Sequence, residues 1–264
     1  MKGKITKFKS GYDKHGTYYE YNLGAKGIPT IFIHGVGLNT EMWSKQKNLL
    51  SSKTLLYDLI NHGKTEKHLK TIKYIDFNLQ LKNLIDFFDL KKINIVGFSI
   101  GSIIALNFST KFNYLINKLV LISTVYNRSK LEQKSVISRY RLANNGKNIS
   151  ELAIKRWFTD GYIKKNPRVC KKFLKILNQN KIEKFLPSYK LFANTKKNLF
   201  NFDQFKTPTM IITGEKDMNS TPAMSLNLNK KIKNSKLLII PKGKHMAYHE
   251  NSVSINPQIK KFLH

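Results

Sequence analysis

The 264-residue chain is short of four things, and each shortage excludes a class of protein. Its single cysteine, Cys170, rules out an internal disulfide and a cysteine-built zinc site, and the setting RVCKKFL reads as a packed helix face. No apolar run approaches the roughly 18 residues that cross a bilayer. The stretch MKGKITKFKSGY carries charge but has neither the apolar region nor the small-residue cleavage site of a secretory leader, so a cytoplasmic location is expected. Acidic residues number 16 against 47 basic ones, a formal charge of +31 that raises nucleic acid or an anionic surface as a partner. The lysines, however, are scattered as singles and pairs, with no zinc-finger spacing, aromatic RNA-binding box or helix-turn-helix signal. An AT-rich coding sequence accounts for abundant Lys, Asn and Ile, and no nucleic-acid partner is expected. Arginine is scarce beside lysine. The five arginines, Arg128, Arg139, Arg141, Arg156 and Arg168, fall in one middle segment.

What is present is an alternation of apolar strands with helix-spaced segments. KITKFKS and TYYEYNLG alternate as half-exposed strands, and PTIFIHG is a short buried strand ending in glycine. Thr40 is placed to cap a helix over EMWSKQKNLL. KTLLYDL, INIVGF, KLVLIST, TPTMIITG and SKLLIIP supply further strands, and YIDFNLQLKNLIDFFDL has helical spacing. This predicts an α/β fold with a mostly parallel eight-stranded sheet covered by helices on both faces. Residues 129–197 hold helical candidates and no strand, which predicts a helical cap inserted after the sixth strand, with 1–128 and 198–264 forming the core. Within that segment Ser150 is placed to cap SELAIKRWF, Pro167 to open PRVCKKFLKIL, and Pro187 to separate two short helices. The last helix starts at Val253 or at Pro257.

The chemistry centres on Gly97-Phe98-Ser99-Ile100-Gly101, a G-x-S-x-G pattern where a strand must turn sharply into a helix. The turn projects the serine hydroxyl, and glycine two residues to each side lets strand and helix approach closely. A serine hydroxyl needs a base to take its proton, and the base needs a carboxylate to orient it. Asp217 follows the strand TMIITG and His245 follows KLLIIP, both at carboxyl ends of strands, where such sheets place their chemistry. Glu215 is an alternative acid and His249 an alternative base, while His34 and His62 precede glycines and read as loop-holding residues. The glycine-containing turn FIHGVGLN can supply an oxyanion hole from the backbone N–H groups of Val36 and Ile100.

With these residues in order, the chain resembles the α/β-hydrolase fold serine hydrolases over most of its length outside the cap. The family's D-x-x-G-H-G-x-S loop is DLINHGKT here, with Asn61 in place of a glycine. HGVGLNTEMW is similar to carboxylic-ester hydrolases, including the acyl-carrier-protein methyl ester esterase type, and LAIKRWFTDGYIKKNP resembles the 3-oxoadipate enol-lactonase group. The resemblance implies hydrolysis of a small-molecule ester or lactone by Ser99, His245 and Asp217, with no metal or organic cofactor. Two other functions stand beside it. One is an esterase for acyl groups on an acidic carrier protein, drawn by the positive surface. The other is a basic binding protein or receptor on the hydrolase fold. Because lysine already supplies generic charge, the clustered arginines suggest a need for the bidentate guanidinium fork, and Arg156 beside Trp157 is the candidate to hold a carboxylate of an anionic substrate.

Overall fold

The computed structural model describes residues 8–22, 27–47, 53–196, 199–203 and 205–264. Eight strands form one sheet: β1 (Lys9–Tyr12), β2 (Tyr18–Asn22), β3 (Thr30–Ile33), β4 (Thr54–Tyr57), β5 (Ile93–Phe98), β6 (Ile116–Ile122), β7 (Thr209–Gly214) and β8 (Ser235–Ile240). Their spatial order is β1-β2-β4-β3-β5-β6-β7-β8. The first two strands pair antiparallel and β2 meets β4 antiparallel, while every pairing from β4 to β8 is parallel.

The period of two along each strand divides the core between the two faces of the sheet. Ile31, Ile33, Ile93, Ile95, Leu119 and Leu121 enter one apolar cluster, and Phe32, Val96, Phe98, Val120 and Ile122 enter the other. Helices α1 (Tyr74–Phe87), α2 (Ile100–Lys111) and α8 (Pro222–Lys231) bury Phe77, Leu81, Ile104 and Leu228 against the first face. The C-terminal α10 (Ser252–Leu263) buries Ile255, Ile259 and Leu263 on the second, at the period of a helix. Sheet strands buried on both faces need this continuous apolarity, which is why they read as unbroken runs.

Among the described residues, five α-helices run between β6 and β7: α3 (Lys130–Asn144), α4 (Ser150–Trp157), α5 (Asp160–Lys165), α6 (Pro167–Asn178) and α7 (Ile182–Ala193). Pro167 opens α6 as its first residue, where its missing N–H costs nothing. Three local expectations are corrected. Thr40 does not cap a long helix: Asn39 caps a single 3₁₀ turn, Thr40–Trp43, because its side chain accepts from the Glu41 N–H while the Thr40 hydroxyl turns to Glu20. Ser150 is the first residue of α4 rather than its cap, since the Asn148 side chain accepts the Ser150 N–H at 2.8 Å. Pro187 lies inside α7 without breaking it, in a helix held by rings on one side, Phe185 and Tyr189 being 5.2 Å apart. Of the two starts expected for the last helix, the earlier stands, since α10 begins at Ser252, one residue before Val253, with Pro257 inside it; α8 was not anticipated. Most of the strand expected over Lys4–Ser10, the end of the helix expected over Glu41–Leu50 and the boundary at residues 197 and 198 lie outside the described residues.

Candidate active site

Ser99 sits between β5 and α2 with φ 54° and ψ −117°, a left-handed conformation that a side chain resists. The turn is held by the Ser99 N–H donating to the Ile122 carbonyl at 2.9 Å and by the Ser102 hydroxyl donating to the Ser99 carbonyl at 2.6 Å. A Cβ on Gly97 would meet the Gly101 backbone, and one on Gly101 would overlap the carbonyl oxygens of Ile33 and His34. The glycines are therefore steric necessities of the strand–helix crossing, as the G-x-S-x-G spacing predicts.

Asp217 and His245 meet at the ends of adjacent strands β7 and β8. His245 Nδ1 lies 2.7 Å from Asp217 Oδ2, and both side chains are buried. The other carboxylate oxygen, Oδ1, accepts the backbone N–H of Asn219 at 2.8 Å and of Ser220 at 3.0 Å, which fixes the plane of the carboxylate. The loop bearing His245 is anchored twice. The Ser123 hydroxyl donates to the His245 carbonyl at 3.0 Å, and the Met246 N–H donates to the Trp157 carbonyl at 2.8 Å. Phe98 packs against the imidazole at 4.9 Å between ring centres and Trp157 at 6.2 Å.

Ser99, His245 and Val36 face a cavity of about 290 Å³, whose opposite wall is built by α3, α4, α6 and α7. Arg156 and Trp157 also line it, and the cavity brings together five of the seven sequence-predicted residues. Asp217 stands behind His245, and the buried Ile100 opens α2 immediately after Ser99. Among the described residues, the N–H groups of Val36 and Ile100 have no backbone acceptor. The α2 dipole adds positive character at Ile100.

The alternatives are placed elsewhere. Glu215 is exposed and accepts the Lys242 N–H at 2.7 Å. His249 is buried against Phe158 and Phe173 and lies outside the cavity lining, and burial drops its pKa to about 3. His34 is a tie between loops, with Nδ1 to the Gly35 carbonyl and Nε2 accepting the Leu59 N–H. His62 donates from Nδ1 to the Ile60 carbonyl, and burial lowers it to about 4. Asn61, the departure from the family's loop, takes φ 68°, a position glycine suits and asparagine tolerates, and its amide pairs both ways with the Leu69 backbone.

Three cavity residues escaped the sequence reading. Asn180 Nδ2 donates to the Gly37 carbonyl at 2.7 Å and so ties the end of α6 to the loop carrying Val36. Asn219 presents a buried amide nitrogen with no partner. Arg139 lines the cavity together with Arg156, whose pKa falls to about 10 through burial and then through repulsion from Arg139. Only the confinement of arginine to one segment signalled the last of these. Among the described residues, no group of three His, Cys, Asp or Glu side chains could hold a metal, and no helix is long and apolar enough to cross a membrane.

The model of the alpha/beta hydrolase fold family matches residues 29–252. The chain is 24% identical over 242 residues to the (E)-2-((N-methylformamido)methylene)succinate hydrolase of Acinetobacter baylyi, covering 90% of this chain and 91% of that one. It is 28% identical over 258 residues to the pimeloyl-[acyl-carrier protein] methyl ester esterase of Wigglesworthia glossinidia brevipalpis, covering 91% and 95%. The crystal structure of the enol-lactonase from Burkholderia xenovorans LB400 superposes with a TM-score of 0.85 at 18% identity, covering 97% of this chain and 99% of that one, which is a likeness of fold. A match across most of the chain, together with the eight-stranded sheet and the serine turn at the end of β5, makes this protein a member of the alpha/beta hydrolase fold family.

Proposed function

We propose that this protein hydrolyses a small carboxylic ester or lactone through an acyl-enzyme on Ser99, with His245 as the base and Asp217 orienting it. The observation that carries the reading is the buried Asp217–His245 pair, whose imidazole lines the same cavity as the strained Ser99 turn. Ser99 Oγ attacks the carbonyl carbon and its proton passes to His245 Nε2, while the N–H groups of Val36 and Ile100 receive the charge on the carbonyl oxygen. Collapse expels the alcohol, which takes the proton from His245. Water then attacks the acyl-enzyme with His245 again as base, releasing the acid and restoring Ser99. Asp217 accepts from Nδ1–H throughout and so keeps Nε2 free for Ser99. Every group in this cycle comes from the chain, and no cofactor is required.

Helices α3–α7 act in this reading as a cap over the serine, with 129–197 as the cap and 1–128 and 198–264 as the core. A cavity of about 290 Å³ sits at the small end of ligand sites and suits a short substrate. A second reading, an ester carried on an acidic carrier protein, draws on the carrier-protein esterase among the relatives and on the excess of 47 basic over 16 acidic residues. Competition by free carrier protein that weakens with salt would favour it over the small-molecule reading. The test of the main reading is turnover of a panel of p-nitrophenyl esters and lactones by wild type and Ser99→Ala. Loss of about 10⁶-fold is expected with the fold intact, and near-normal turnover by a folded Ser99→Ala would end the proposal. A binding protein would give no turnover in wild type either.

A further inference from the structure

Two arginines line the cavity from different helices, Arg139 from α3 and Arg156 from α4. Each follows from helical spacing: Arg139 shares its face with Ala143 four residues on, and Arg156 shares its face with Ala153 and Ser150 at three-residue steps. No Asp or Glu lines the cavity among the described residues. No arginine takes part in any ion pair among them either. Arg139 donates only to the Ser135 hydroxyl, at 2.7 Å, and Arg156 donates to nothing, its Nε being buried without a partner.

Arg128 shows what a structural arginine looks like in the same segment. Its Nη2 is buried without a partner, as Arg156 Nε is, but its Nη1 donates to the carbonyls of Phe192 and Ala193 at the end of α7, its guanidinium lies 4.8 Å from the Phe192 ring centre, and it does not line the cavity. Arg156, in the last turn of α4, donates to no carbonyl among the described residues and has no ring beneath it. Cap packing therefore explains Arg128 and leaves Arg156 unexplained. A chain that uses lysine for nearly all its positive charge has placed its scarce planar forks where like charges repel and nothing of opposite sign compensates.

We infer that Arg139 and Arg156 form a carboxylate-binding subsite, so that the substrate is an ester or lactone carrying a free carboxylate remote from the bond that is cut. The inference rests on the Ser99 reading of the same cavity. A carboxylate supplies what the site lacks: it accepts two parallel N–H bonds from one fork and neutralises the repulsion between the two. The exposed Lys147 at the same wall adds charge on the approach but not the planar geometry.

The test compares p-nitrophenyl hydrogen adipate, which has a terminal carboxylate, with p-nitrophenyl hexanoate, which has the same acyl length and no charge. Wild type is expected to favour the adipate half-ester in kcat/KM by at least about tenfold. Arg156→Gln and Arg139→Gln are each expected to lower that preference by about 10- to 100-fold, mostly through KM, as loss of a charge-assisted hydrogen bond dictates. Arg156→Lys, which keeps the charge and is the second variant should the glutamine variant unfold, is expected to recover only part of it. Calorimetric binding of adipate to Ser99→Ala reads the subsite without turnover and should disappear on adding Arg156→Gln. No preference in wild type, or equal losses on both esters, overturns the subsite, as does stronger competition by inorganic phosphate than by adipate. If hexanoate turnover needs Ser99 but shows no dependence on charge, only the subsite falls. If hexanoate turnover survives Ser99→Ala, the underlying reading falls instead.

Discussion

Asp217→Asn is a near-isosteric change whose consequence the surrounding hydrogen bonds dictate. Asp217 Oδ1 accepts two backbone N–H groups, those of Asn219 and Ser220, while Oδ2 faces His245 Nδ1. The asparagine must keep its one carbonyl oxygen where Oδ1 was, because turning its NH₂ toward those donors would leave two buried N–H groups unpaired, at about 1–3 kcal/mol each. The amide NH₂ then points at Nδ1, which can only accept, and the ring proton moves to Nε2. In the proposed cycle that atom must be free to take the Ser99 proton. The wrong tautomer costs about 10⁴ in kcat in serine-protease triads, or about 5.4 kcal/mol of barrier at 1.36 per tenfold. Steady-state hydrolysis of a p-nitrophenyl ester reads this directly, with Glu215→Gln as the control because Glu215 is exposed and bonds only the Lys242 N–H. A folded Asp217→Asn within about tenfold of wild type, or a greater loss in Glu215→Gln, would refute the reasoning.

Acid stability follows from the buried imidazoles. His62 and His249 are held at about 4 and about 3 by burial, below the ordinary histidine value, so their stabilising effect is whole above about pH 6.5 and is lost as pH falls toward those values. At pH 5 each costs about 2 kcal/mol relative to pH 7, and His249→Phe should lose less on acidification by about that amount; identical acid losses in thermal melts would contradict it. Gly101→Ala should destabilise by about 3 kcal/mol or more, because the carbonyls of Ile33 and His34 cannot yield as a side chain would. A melting temperature and turnover equal to wild type would show the crossing is looser than described. Asn180→Ala removes the donor to the Gly37 carbonyl and should lower kcat by about tenfold with KM little changed; an effect on KM alone would make Asn180 a substrate contact instead.

The parts of the site that were legible are those written in consecutive residues. The strand INIVGF, the glycines flanking Ser99 and the apolar run after it announce their own turn, because close approach of strand and helix leaves glycine as the sole choice at Gly97 and Gly101. Asp217 and His245 were legible because apolar strands end just before them. The carboxylate plane was not, since it depends on the loop after Asp217 folding back to present two N–H groups. Helix α8 escaped because AMSLNLNKK has little amphipathic contrast, though Thr221 before Pro222 is a readable start, and its hydroxyl does accept the Met224 N–H. Pro187 was over-read as a helix break: like Pro257, it sits inside a helix whose packed face outweighs one lost hydrogen bond. Arg139 and Asn180 could not be assigned from sequence because their roles arise where α3, α4 and α6 converge, and no local pattern encodes that convergence.

The most direct measurement is covalent capture of the nucleophile. Treatment with a fluorophosphonate, followed by peptide mass spectrometry and residual turnover, should give one adduct per chain on Ser99, with ester hydrolysis lost in proportion to labelling and no adduct on Ser99→Ala. An adduct on another residue, or full turnover by protein fully labelled at Ser99, would contradict the assignment of Ser99 as the residue that carries the acyl group.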